Sequence, residues 1–415
     1  MPSPDRHFAT AAIFTQSTGL TPNSGDAALY IKSDNKAYIK DSAGSEVIVG
    51  GTGTIAGTLG TVDNAVPRAD GTGGITAQGS DIVIDDATTS TANNVAITNQ
   101  HTGQTNSALV LTPKGTGAFI VGLKPDGTNT GGNARGTNAV DLQTTRSVAT
   151  QVASGTRSFI GGGERNIASN TNNVVSGGYQ NTASGGFSNI IPSAVCGGGQ
   201  NTANSMGSFV GGGRSNAASN DYSIVGSGYS NNASGNASVV CGGGIGGGDI
   251  GAGNTASGTW SAILGGSAAL ANRTGMQAHA VGQFAAQGDA QRARFVLRNK
   301  TTTNAAVELF LNGSTTRLTI PSGKYLTGTI NIAGIKSDGA TAARYIRQFS
   351  IKNVAATTSL VGTVDTVGTD IANSTTISIT ADDTNDALKV EVTGIASETW
   401  RWVASVDVVE VAYGT

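Results

Sequence analysis

Trp400 and Trp402 carry the clearest binding chemistry in the chain. Two residues apart on an extended backbone, their indoles fall on one face of a strand, with Arg401 and Val403 on the other. An exposed indole pair is a platform for sugar rings, and in a small β-domain the same pair also serves as core. Tyr325, Tyr345 and Arg347 stand under the same two readings, which makes these five the candidate ligand-contacting residues. Catalytic patterns are absent by comparison. Glycoside cleavage needs two carboxylates across a groove, and between residues 157 and 288 the only acids are Glu164, Asp221 and Asp249, none in phase with another. No nucleophile elbow with partners, no His-Glu-x-x-His and no phosphate loop occurs, and the recurring Gly-Gly-Gly lacks a following Lys-Ser/Thr. Asp382-Asp383-Thr384-Asn385-Asp386 has oxygen ligands for Ca²⁺ but not the calcium-loop spacing, so it reads as an Asx turn. His7, His101 and His279 have no cysteine partners nearby. The expectation is a chain with no enzymatic activity, no metal and no cofactor.

The elements that must position these residues begin with a repeat over 158–289. An apolar residue recurs at Ile160, Val175, Val195, Val210, Val225, Val240 and Ile263, in steps of 15, 20, 15, 15, 15 and 23. A second anchor, Asn-x-Ala, keeps the same steps at Asn166, Asn181, Asn201, Asn216, Asn231 and Asn254. Two anchors sharing one period and one set of insertions define a structural repeat, and repeats decide architecture. A coil of about 15 residues has room for two short strands and two turns, and stacked coils climb about 4.8 Å per step. Glycine serves close approach and positive φ, and the asparagines can bond to their neighbours in a ladder. Each coil brings only two or three apolar side chains and some alanine, too little core for one narrow stack. The sequence therefore predicts obligate assembly, as a homotrimer about an axis. Insertions at 184–188 and 244–251 are expected as loops on one face.

Composition agrees with repetitive β-structure. Glycine makes up 61 of 415 residues and charged residues only 13%, against a usual value of about 25%. A net charge of −2 gives no general attraction for nucleic acid or anionic membrane. Cys196 and Cys241 each follow an apolar anchor, where other copies have Gly161, Ser176, Gly211 and Gly226. The sequence reads them as small buried fillers, three repeats apart and too distant for a disulfide. Residues 1–14 lack a signal-peptide pattern and no apolar run approaches the ~20 residues that span a bilayer, so a soluble chain without membrane insertion is expected.

Taken in order, residues 1–50 form an N-terminal β-unit with alternating strands at 29–32, 36–40 and 46–49, a docking module or a cap. Residues 51–150 form a Gly/Thr-rich β-stem with apolar runs at 82–84, 95–98, 108–111 and 119–123, separated by turn clusters at 70–74, 114–117 and 126–127. Strands this short need partner chains to bury their apolar residues. One helical turn is expected at 138–143. Residues 151–290 are the β-roll. Residues 291–415 alternate with period two at 293–298, 306–311, 315–320, 324–335, 344–353, 375–379, 387–392 and 400–411, with Asn312-Gly313 as a hairpin signal. Eight such strands argue for an antiparallel β-sandwich or jelly roll.

The repeat, as in Ser208-Phe209-Val210-Gly211-Gly212-Gly213-Arg214-Ser215-Asn216-Ala217-Ala218-Ser219-Asn220, resembles the head repeats of trimeric bacterial surface adhesins. That resemblance implies one coil of a left-handed parallel β-roll per unit, with three rolls packed side by side. Those adhesins begin with a signal peptide and end in an outer-membrane barrel strand, and neither pattern is found here, which disfavours a bacterial adhesin. The flanks resemble fibre proteins of tailed bacteriophages. The resemblance rests on Leu29-Tyr30-Ile31-Lys32-Ser33-Asp34-Asn35-Lys36-Ala37-Tyr38-Ile39-Lys40-Asp41, on Asp63-Asn64-Ala65-Val66-Pro67-Arg68-Ala69-Asp70-Gly71-Thr72-Gly73, on Leu111-Thr112-Pro113-Lys114-Gly115-Thr116-Gly117 and on Arg135-Gly136-Thr137-Asn138-Ala139-Val140-Asp141-Leu142-Gln143.

The expected whole is an all-β, elongated homotrimeric fibre of the virion. The resemblance implies that the N-terminus docks to a phage tail, baseplate or adaptor protein. It also implies that the C-terminal domain, through Trp400, Trp402, Tyr325, Tyr345 and Arg347, meets a host surface glycan or lipopolysaccharide as receptor. Two rival readings use the same modules: a capsid (head) spike or fibre, and a tailspike depolymerase with a site between chains.

Overall fold

A computed structural model describes residues 23–31, 36–49, 111, 113–186, 191–244 and 253–413, with the short strands Arg68–Ala69, Ala77–Gln78, Ile82–Asp85 and Ala96–Asn99. Among the described residues the fold is all-β, with no helix. The arm before residue 23, the turn cluster at 70–74, most of the 108–111 run, residues 187–188 of the first insertion and residues 245–251 of the second lie outside the described residues. The chain divides into two compact units, Met1–Leu111 and Thr112–Thr415.

In the first unit, Ala27–Ile31, Ala37–Asp41 and Glu46–Val49 make a three-stranded antiparallel meander. Its second turn is an Asx turn: the Asp41 carboxylate accepts from the Ala43 and Ser45 amides at 3.0 and 2.8 Å. Leu29 and Ile39 pair across the strands, yet both side chains are exposed. Arg68–Ala69 pairs with Ala77–Gln78, and Ile82–Asp85 with Ala96–Asn99, each as an antiparallel pair.

The second unit is built on stacked coils. Each repeat contributes one two-residue strand to a large sheet, such as Phe209–Val210, and one to a smaller seven-stranded sheet, such as Ala217–Ala218. Successive coils pair in parallel and in strict register, Val195 to Val210 to Val225 to Val240 and Ala203 to Ala218 to Ala233. All seven apolar anchors are fully buried, as are the alanines that face them. Removing a Val or Ile side chain from water stabilises by about 1.5–3 kcal/mol, so the narrow interior is worth a few kcal/mol per coil before entropy is set against it. Glycine is required where coils touch: a Cβ on Gly213, at φ +83°, would lie 2.1 Å from the Gly228 carbonyl oxygen.

The stack starts earlier than the repeat phrase. Phe119–Ile120 and Val140–Asp141 are its first rungs, pairing in parallel with each other and then with Phe159–Ile160. The helical turn expected at 138–143 is therefore a rung of sheet. Asn138 takes a left-handed φ of 54°, which turns the chain into strand.

At its other end the large sheet changes direction. Gln277–Val281 pairs in parallel with Ala262–Ser267 behind it and antiparallel with Ala290–Thr301 ahead. From there the same sheet runs through Trp400–Ala412, Lys324–Lys336, Ala342–Val354 and Thr357–Leu360, all antiparallel. A second antiparallel sheet holds Ala306–Glu308, Leu318–Thr319, Thr376–Asp382 and Ala387–Thr393. Residues of both sheets, including Phe295, Ile330, Phe349, Val390 and Trp402, join one buried cluster with the roll interior. The hairpin expected at Asn312-Gly313 is not formed. Asn312 does close an Asx turn, accepting from Ser314, Thr315 and Thr316. One bond joins the flanks, from the Leu311 amide to the Thr316 carbonyl at 2.8 Å, and the strands Ala306–Glu308 and Leu318–Thr319 beyond it both pair with Ala387–Thr393.

Candidate functional site

The repeat asparagines form an unbroken ladder. Each Oδ1 accepts the backbone N–H of the next coil's asparagine, from Asn166 through Asn181, Asn201, Asn216 and Asn231 to Asn254, at 2.9–3.0 Å. Each Nδ2 donates to two backbone carbonyls, for Asn216 those of Gly212 and Gly228 at 2.8 Å. A buried amide with its acceptor and both donors used is stabilising, whereas a half-satisfied one is costly. The residue before each of the first five ladder asparagines holds a left-handed backbone, with φ of 59° at Arg165, 54° at Gln180, 59° at Gln200, 57° at Ser215 and 53° at Ser230. That conformation costs non-glycine residues about 1–2 kcal/mol, which the ladder bonds offset.

Both ends of the stack carry buried polar clusters that the sequence reading missed. At the start, Gln143 stands in for the ladder, accepting from the Asn166 amide at 2.8 Å. Asp141 occupies the anchor position of its rung and pairs with Arg135 at 2.8 Å and Arg146 at 3.2 Å, all three side chains buried. At the junction with the antiparallel sheet, Glu410 is fully buried and bonds to Arg273 and to Gln291. Gln291 also clamps both the N–H and the carbonyl of Leu270. By charge alone Glu410 would be placed on a solvated face. The signal against that was parity, since Glu410 continues the inward set Trp402, Ala404, Val406 and Val408. A second missed position lies two before each apolar anchor, where Ser158, Asn173, Ser193, Ser208, Ser223, Ser238 and Ser261 are all buried.

The five candidate contact residues do not form one site. Trp400 and Trp402 are 0% and 1% exposed, with stacked rings 5.6 Å apart. Their indole N–H groups donate to Glu398 and Thr301 at 2.9 and 3.1 Å. The pair is core, and a sugar cannot reach it without opening the sheet. Tyr345 is also buried, its hydroxyl bonded to the Thr375 carbonyl at 2.7 Å, and burial pushes its phenol above the usual range. Arg347 lies over the Tyr345 ring and forms a two-pronged pair with Asp370 at 2.8 and 2.7 Å. That bond holds Asp370 below the ordinary carboxylate range. Tyr325 is half-buried and sits seven residues along its strand from Ile332, the partner of Tyr345, or about 23 Å away. The Asp382–Asp386 acids are engaged locally: Asp382 accepts from Asn385, Asp383 from the Thr358 amide and Asp386 from its hydroxyl.

The outer face of the roll has a feature absent from the sequence reading. Phe159, Val174, Ala194, Phe209, Ile224, Val239 and Ala262 stand in register, one per coil, as an outward apolar stripe. Phe159 and Ile224 are exposed and the others half-buried. On the other side of each anchor lie Gly161, Ser176, Cys196, Gly211, Gly226 and Cys241. Both cysteines are free and exposed, which corrects the expectation of buried fillers. Strand alternation gives the reason: the anchor points in, so the residues before and after it point out.

No family model matches this sequence. No curated protein sequence matches it either. In the solved structures, the chain is similar to a tailspike protein of Acinetobacter baumannii bacteriophage Fri1, described as a capsular polysaccharide depolymerase. The identity is 11% over 71% of this chain and 56% of that one, with a TM-score of 0.21. It is also similar to the tailspike proteins of Acinetobacter phage vB_ApiP_P1 (9% identity, 71% of this chain and 81% of that one, TM-score 0.18) and of Acinetobacter baumannii phage AM24 (9%, 68% and 60%, TM-score 0.22). This chain thus spans little more than half the length of the Fri1 protein. The first description corrects one expectation, that the chain has no enzymatic activity: a depolymerase stands among the structures it is similar to, and the expectation is withdrawn.

Proposed function

We propose that this chain is a bacteriophage tail fibre or spike that attaches to a host surface polysaccharide and works as a homotrimer. The observation that carries the reading is the single hydrogen-bonded sheet that passes from the roll into the C-terminal antiparallel domain. A domain continuous with a stack of identical rungs is held rigidly on a spacer, as attachment at a distance requires. The apolar stripe supports assembly with copies of the same chain, because a partner with the same rung spacing meets it at every coil. Three tips on one rod convert weak glycan contacts into stable adsorption. In this reading the N-terminal unit docks to the virion and the C-terminal domain faces the host.

The test is adherence of the labelled full chain to encapsulated bacteria, in competition with polysaccharide purified from the same cells. Inhibition by that polysaccharide is expected. Adherence that the polysaccharide leaves unchanged contradicts the reading. Sizing the polysaccharide after incubation distinguishes the two forms of it: a fibre leaves chain length unchanged, and a depolymerase releases oligosaccharides.

A further inference from the structure

Beyond Ala262 the outer face changes character. Gln277 follows Ala262 in register, then Arg294, then Asp407, and one step aside His279 pairs with Arg292. The charged patch thus begins where the apolar stripe ends. A groove of about 190 Å³ opens here, lined by Leu264, Gln277, His279, Arg292 and Arg294. Asp407 fixes both guanidiniums, accepting from Arg292 Nε and Nη2 at 2.8 and 2.5 Å and from Arg294 Nη2 at 3.0 Å. The bond from Arg292 lowers the Asp407 carboxyl to about 2, so the clamp stays charged over the physiological range. Two guanidiniums against one carboxylate leave a net positive charge, and the donors not spent on Asp407 remain for a ligand. Leu264 is 81% exposed at this edge, an apolar surface left uncovered among the described residues.

We propose that this groove binds one carboxylate-bearing sugar unit, a hexuronate, of a surface polysaccharide. The surface origin of the ligand rests on the attachment reading above, while the groove's chemistry does not. A planar carboxylate matches the paired guanidiniums better than a neutral hydroxyl does. The C–H face of the sugar ring covers Leu264, and its hydroxyls reach Gln277 and His279. The volume lies below the ~300 Å³ at which pockets begin to enclose drug-sized ligands, which fits one ring of a chain that continues into solvent.

The experiment titrates the full chain with sodium galacturonate, glucose and sodium acetate, following the His279 Cε1–H NMR signal, assigned with His279→Gln. Galacturonate is expected to shift the signal at millimolar concentration, with glucose and acetate each at least about tenfold weaker. Arg294→Ala is expected to weaken galacturonate about tenfold or more, and Leu264→Ser by a few fold. Equal binding of glucose, acetate as good as galacturonate, no shift by about 50 mM galacturonate, or an unchanged Arg294→Ala variant would each overturn the proposal. Adherence to bacteria is measured on the same preparation. Adherence without galacturonate binding removes the groove and leaves the attachment reading intact, and galacturonate binding without adherence does the reverse.

Discussion

Replacing Asn216 by alanine tests the ladder at mid-stack. The side chain accepts from the Asn231 amide at 3.0 Å and donates to the Gly212 and Gly228 carbonyls at 2.8 Å. Gly228 keeps a second partner in the Arg214 amide, but the Asn231 N–H is left buried without its acceptor. An orphaned buried donor costs about 1–3 kcal/mol, and the lost side-chain volume adds to it. The expected loss is about 2–4 kcal/mol, read as a lower midpoint in urea, with faster hydrogen exchange at the Asn231 amide. Asn216→Asp keeps the acceptor but loses both donors and buries a charge, so it should be at least as damaging. The control is Asn232→Thr, at an outward position where matching coils carry Thr202 and Thr255; it should stay within about 0.5 kcal/mol. Equal effects of Asn216→Ala and Asn232→Thr would refute the ladder as a source of stability.

Three further outcomes are expected. Glu410→Ala leaves Arg273 buried without its carboxylate, which should cost about 3–5 kcal/mol in thermal or urea unfolding; a loss below about 1 kcal/mol would contradict a buried pair. Gly334→Ala puts a Cβ 2.2 Å from the Trp402 ring and should cost about 1–3 kcal/mol with a changed near-ultraviolet indole spectrum, whereas an unchanged spectrum would place the indoles elsewhere. Asp407 has its folded pKa depressed from 3.8 to about 2, so its contribution is full above the unfolded value near 3.9 and fades as pH falls towards about 2. That shift would be worth about 2.4 kcal/mol unscreened, and with both arginines more than half exposed about 1 kcal/mol is expected. Asp407→Asn should therefore be destabilised at pH 7 and match the parent near pH 2; equal stability at pH 7 would show the pair to be inert.

The stack was legible in the sequence because two anchors kept one period, and Val210 and Asn216 landed in the interior as that period requires. What the period does not report is the neighbour. Phe209 and Val210 are both apolar, and only the folded coil shows that one is core and the other part of an outward stripe. Cys196 was misplaced for the same reason, by reading small size as burial. Trp400 and Trp402 share a face, as alternation demands, but both faces of their strand carry apolar residues, so pattern alone does not choose the inner one. The second sheet chooses it. At Glu410 parity outweighs charge, since it continues the inward set of its strand. Asn312 shows the limit of turn chemistry: the turn formed, but the strand partners of its flanks lay far along the chain, Val392 for Val307 and Leu388 for Leu318. The groove at Arg292 and Arg294 had no sequence signature, since Asp407 reaches them from the last strand.

Sedimentation equilibrium of the full chain tests most directly whether the exposed stripe is a face between copies. At micromolar concentration the expected particle contains three chains of 41.3 kDa, and Phe209→Asp together with Ile224→Asp should dissociate it without unfolding the coils. A parent chain that sediments as a single 41.3-kDa species would contradict the trimeric fibre.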